Sequence, residues 1–65
     1  MTDSELAHQI ISLLKRSPLT LAELSHALRP SANIEQIANA LITMEGSGIV
    51  RYLPAVGLYT LGPEA

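Results

Sequence analysis

Cysteine, tryptophan and phenylalanine are all missing from this 65-residue chain, and each absence narrows what it can do. Without thiols there is neither a disulfide framework nor a zinc knuckle to brace so small a fold, so the apolar core has to hold it together, alone or with a partner. Two tyrosines are the only aromatics, too few for the stacking platforms that grip single-stranded nucleic acid. Positive charge is scarce as well. Lys15, Arg16, Arg29 and Arg51 stand against six acids for a net charge of -2, a thin footing for nonspecific attachment to phosphate. Apolar runs stay far below the roughly 20 residues of a membrane span. Near the start no basic stretch precedes an apolar segment of the signal-peptide kind, so no membrane partner and a cytoplasmic location are expected. What is present is 48% hydrophobic residues against 15% charged, at a mean hydropathy of +0.28, the make-up of a single packed domain.

Periodicity divides the chain into helices and a β-ribbon. Leu6, Ala7, Ile10, Leu13 and Leu14 keep helical spacing, predicting a first helix from about Asp3 to Lys15, capped by Asp3 or Ser4, with Lys15 and Arg16 at its C-terminal end and Pro18 stopping it. Ile11 lies about 140° from Leu6 around that helix, off the stripe, and is expected to face solvent or a second chain. Thr20-Leu21-Ala22-Glu23 has the form of a capping box, flanked by Leu19 and Leu24 in hydrophobic-staple positions. It predicts a second helix from about Leu21 to Leu28 that buries Leu21, Leu24, Ala27 and Leu28. Arg29-Pro30-Ser31 breaks the pattern. A third helix from about Asn33 to Glu45, capped by Ser31 or Asn33, would turn Ile34, Ile37, Ala38, Leu41 and Met44 inward and end at Gly46 and Gly48. The period then changes. Residues from about Ile49 to Leu61 predict a two-stranded hairpin turning at Pro54-Ala55-Val56-Gly57, with Tyr52 and Tyr59 packed against the third helix.

The expected class is therefore α+β, a three-helix bundle followed by a two-stranded β-hairpin in one domain spanning residues 1–65. Through Leu19-Thr20-Leu21-Ala22-Glu23-Leu24, Leu41 to Glu45 and Gly48-Ile49-Val50-Arg51-Tyr52, the stretch from Pro18 to Leu61 resembles winged helix-turn-helix domains. More narrowly, Gly48 to Pro54 with Gly57-Leu58-Tyr59 is similar to the small winged-helix domain at the C-terminus of the bacterial DNA-processing protein DprA. Two features depart from the family pattern. The break between the second and third helices is longer than a tight turn, and the hairpin tip is apolar where DNA-binding wings carry Arg or Lys.

The resemblance implies that the third helix reads the major groove of double-stranded DNA, as a small transcription regulator or a DNA-processing accessory domain would. With the core face centred between Ile34 and Leu41, the opposite side presents Gln36, Asn39 and Thr43, with Asn33 on its flank; amides pair with adenine and Thr can touch a thymine methyl. Arg29 and Arg51 are the expected phosphate contacts, with Lys15 or Arg16 in reserve, although Arg51 has an equally good use in a rim ion pair with Glu45. So few cations would favour a dimer on paired half-sites, with Ile11, Ile42, Val56 and Leu61, apolar residues in excess of what so small a core needs, as candidates for its interface. The competing expectation is a protein-docking winged helix that does not bind DNA, similar in its acidity to the one in the middle subunit of eukaryotic replication protein A. It would use Ile11 or the wing residues Val56 and Leu58 to hold a protein or a second copy. His8 and His26 lack a metal-ligand spacing, no serine sits in a nucleophile motif, and no glycine-rich phosphate loop is present. An enzyme, a cofactor and a small-molecule substrate are accordingly not expected.

Overall fold

The computed structural model describes residues 2–65 and has the expected α+β architecture: three helices followed by an antiparallel hairpin. Helix α1 runs Asp3–Arg16, α2 Leu21–Leu28 and α3 Ile34–Gly46; the strands are β1, Val50–Leu53, and β2, Leu58–Leu61.

Each helix begins at a side-chain cap. Thr2, not Asp3 or Ser4, caps α1: its hydroxyl oxygen accepts from the Glu5 N–H at 3.1 Å, because Thr2 and Glu5 have the same Thr-x-x-Glu spacing as Thr20 and Glu23. At α2 the box closes in both directions, with Glu23 N–H donating to Thr20 Oγ1 at 3.1 Å and Thr20 N–H to Glu23 Oε1 at 2.9 Å. Asn33 caps α3 in the same reciprocal way with Gln36.

Leu6, Ile10 and Leu14 of α1 meet Leu24 and Leu28 of α2, Ile37, Leu41 and Met44 of α3, and Val50 of β1 in one buried core. Ala32 joins it from the connection between α2 and α3, where its N–H donates to the Leu28 carbonyl at 3.1 Å. Three expectations about the core are corrected. Ile11 is half-buried and packs on the core, because α1 is flanked by α2, α3 and β2 and so buries a wider arc than one stripe. Ala27 is exposed and Leu21 only half-buried, since the two-turn α2 turns a narrow arc centred on Leu24 and Leu28 inward. Ile34, at 53% exposure, lies outside the core altogether, and the half-buried Ala38 is not part of it either.

The hairpin pairs Val50 with Leu61, Arg51 with Thr60, Tyr52 with Tyr59 and Leu53 with Leu58. Strand alternation puts Val50 and Leu61 on the bundle side and Arg51 and Thr60 on the other. Tyr52 and Tyr59 stack at 4.9 Å between ring centroids with a 45° tilt; Tyr59 packs on the core while Tyr52 is 42% exposed at its rim. Gly57 closes the turn at φ +69°, a conformation that L side chains rarely adopt. The free edge of β2 is met by Leu19, which exchanges both backbone hydrogen bonds with Tyr59 at 2.7 and 3.1 Å. The segment between α1 and α2 thus acts as a one-residue third strand that ties the hairpin to the bundle. Beyond β2, Gly62 N–H donates to the Ile49 carbonyl and Glu64 N–H to the Gly48 carbonyl, folding the tail back onto the turn before β1.

Candidate functional site

All six residues expected to contact DNA are exposed, yet their surroundings divide them. Asn33 and Gln36 are committed to starting α3. Gln36 N–H donates to Asn33 Oδ1 at 2.8 Å, and Asn33 N–H donates to Gln36 Oε1 at 3.0 Å. Bidentate pairing with adenine needs an amide's oxygen and nitrogen together, and in both residues the oxygen already accepts a backbone bond that a helix N-terminus otherwise leaves unmet. Thr43 Oγ1 donates back to the Asn39 carbonyl at 3.2 Å. Asn39 gives these bonds only that backbone carbonyl, so its side-chain amide remains free of them.

The buried arc of α3 is set by Ile37, Leu41 and Met44, with Ile34 left out. At about 100° per residue this turns the outward face by roughly 45° from the position inferred when Ile34 is counted as core. Glu35 and Asn39 then occupy its centre. Gln36 and Thr43 move to the flank that faces α1, where with Asn39, Ala40, Asp3 and Ala7 they line an open cleft of about 330 Å³. On the other flank Ile34, Ala38 and Ile42 form a row along α3 at i, i+4, i+8, with Ile42 68% exposed, Ile34 53% exposed and Ala38 half-buried between them. Glu35 borders this row and Glu45 ends it, and α3 carries no basic residue at all.

The cations lie at the edges. Arg29 is the C-terminal cap of α2 and lines a second cleft with Pro30, Asn33 and Ile34, beside the start of α3. Arg51 stands on the outer side of β1, opposite Thr60. Lys15 and Arg16 close the last turn of α1. Glu45 acts on Tyr59: burial first, then the Glu45 carboxylate and Tyr52, raises the phenol above its usual pKa of 10.0.

Of the apolar residues expected to hold a partner, Ile42 on α3 and Val56 on the hairpin turn, at 61% exposure, stand open, whereas Ile11, Leu58 and Leu61 are half-buried. Of the row on α3 only Ile42 stands out in the sequence, as surplus apolar surface; the signal that identifies the rest is that Ile34, Ala38 and Ile42 keep helical spacing on a line separate from Ile37, Leu41 and Met44. Among the described residues no group of three or more His, Cys, Asp or Glu side chains is placed to hold a metal ion, and no helix is long and apolar enough to cross a membrane. The chain matches no protein-family model, no curated protein and no solved structure.

Proposed function

We propose that this domain is a docking module of winged-helix layout, which binds another protein through the outward face of α3. The observation that carries the proposal is Ile42, 68% exposed in line with Ile34 on a helix whose only charges are acidic. Burying one such side chain against a partner is worth roughly 1.5–3 kcal/mol, and two of them on one row make a recognisable anchor. The same face is poorly suited to phosphate. Glu35 and Glu45 would have to approach a polyanion, and the two amides at its N-terminal end hold the helix cap. The cytoplasmic location expected from the sequence stays part of this proposal.

A second use, reading duplex DNA, is favoured by the free Asn39 amide beside Thr43, with Arg29 and Arg51 exposed to either side. Photo-crosslinking separates the two. A photoreactive residue in place of Ile42, in the cell that makes the protein, gives protease-sensitive adducts in the docking case. An exposed control at Ala22 on α2 gives none. Nuclease-sensitive adducts from position 42, or no adducts there at all, overturn the docking proposal.

A further inference from the structure

The geometry points to a second copy of this chain as the occupant of the α3 face, related to the first by a two-fold axis beside Ala38; this rests on the docking proposal above. Ile34, Ala38 and Ile42 make up an i±4 ridge, the kind that interdigitates with its own equivalent when two helices cross at about -50°. A two-fold operator requires the row to read the same in both directions, and it does: isoleucine, a small residue, isoleucine. Ala38 at the crossing point lets the backbones approach closely, while each Ile34 meets the other copy's Ile42.

The charges at the two ends decide the orientation. Arg29 borders the same cleft as Ile34 and so places a cation at the N-terminal end of the row. Glu45, one turn beyond Ile42, places an anion at the C-terminal end, and both are exposed. Antiparallel pairing sets Arg29 against Glu45 of the second copy, twice, and opposes the two helix dipoles. Parallel pairing would set Arg29 against Arg29 and Glu45 against Glu45. A wholly acidic face would repel its own copy, and it is Arg29, reaching in from the end of α2, that makes this one self-complementary. A contact built on a row of three side chains has little to offset the cost of association, so the dimer is weak.

Charge reversal tests the proposal in the intact chain. Sedimentation velocity over a dilution series up to about 1 mM is expected to show the wild type passing from monomer to dimer. R29E and E45R, each alone, weaken self-association about tenfold or more, since each puts like charges together at both ends. Mixed in equal amounts, the two variants recover wild-type association as a heterodimer, because every end then joins Arg to Glu. I42E abolishes association, and all three variants keep the wild-type far-ultraviolet circular dichroism because the altered side chains are exposed. A wild type that stays monomeric at 1 mM, or a mixture no stronger than its components, overturns the inference. If the wild type is monomeric while the photoreactive residue at position 42 captures a protein of another mass, the second copy is ruled out and docking stands. If it captures nothing or only nucleic acid, both fail.

Discussion

Replacing Asn33 by alanine asks directly whether this side chain serves the helix or a ligand. In the fold its Oδ1 accepts from the Gln36 N–H at 2.8 Å, and the Gln36 side chain returns a bond to the Asn33 N–H at 3.0 Å. The substitution removes the first bond outright and loosens the second, leaving at least one amide at the start of α3 to water. Loss of an N-cap of this kind costs about 1 kcal/mol, within a range of roughly 0.5–2. With an unfolding entropy near 2.1 cal/mol/K per residue, 1 kcal/mol moves the midpoint of a chain this size by about 7 °C. Thermal unfolding followed at 222 nm should therefore place N33A about 4–14 °C below the wild type. N39A is the matched control. It removes an exposed amide from the helix interior, where alanine is the better helix former, and is expected to leave the midpoint unchanged or slightly raised. An N33A midpoint within about 1 °C of the wild type would falsify the capping account and release Asn33 for contact with a ligand.

The core and the α3 row should respond in opposite ways to truncation. Ile37→Ala removes a fully buried side chain and is expected to cost about 2–5 kcal/mol, comparable to the whole stability of so small a domain, so circular dichroism should show it largely unfolded at 37 °C. Ile42→Ala should change stability by less than about 0.5 kcal/mol. Gly62→Ala would press its Cβ onto the Gly48 carbonyl and displace the tail, lowering stability by about 1–3 kcal/mol in a denaturant titration, whereas Gly46→Ala meets nothing within 4 Å and should be neutral or stabilising. In the variant Tyr52→Phe the one remaining tyrosine should ionise above 10.0 when followed at 295 nm, because burial and Glu45 still disfavour its phenolate. Since the folded state holds that proton more tightly than the unfolded chain, the corresponding stability is intact below pH 10.0 and is lost as the pH rises through the folded value.

The elements were legible where one local signal sufficed. Thr20 and Glu23 announce α2, Pro18 and Pro30 bound it, and the change of period after Gly48 announces the hairpin. The Thr2–Glu5 spacing carried the same information for α1, but Asp3 and Ser4 are also good capping residues and mask it. What the sequence could not yield was the position of neighbours around each helix. Periodicity gives the direction of a stripe but not its width, so Ile11 looks free until β2 and α3 are known to flank α1, and Ile34 looks buried until Leu41 and Met44 fix the inward arc of α3. The bridge between Leu19 and Tyr59 was equally hidden, because pairing through a single residue leaves no alternating pattern to detect.

That 45° uncertainty in one helix decides between two chemistries. Centred between Gln36 and Thr43, the face of α3 is a polar, uncharged surface able to read bases. Centred between Glu35 and Asn39, it is a mixed surface with the apolar row of Ile34, Ala38 and Ile42 along one flank and acids beside it. Both depend on the same core, and the difference lies in whether Ile34 is inside. It is outside, and the α2–α3 connection contributes Ala32 to the core instead, 3% exposed with its N–H on the Leu28 carbonyl. The connection after α2 thus buries Ala32 and leaves Ile34 exposed. It also sets Arg29 beside it, so the same connection supplies both the apolar end and the cation that a second copy requires.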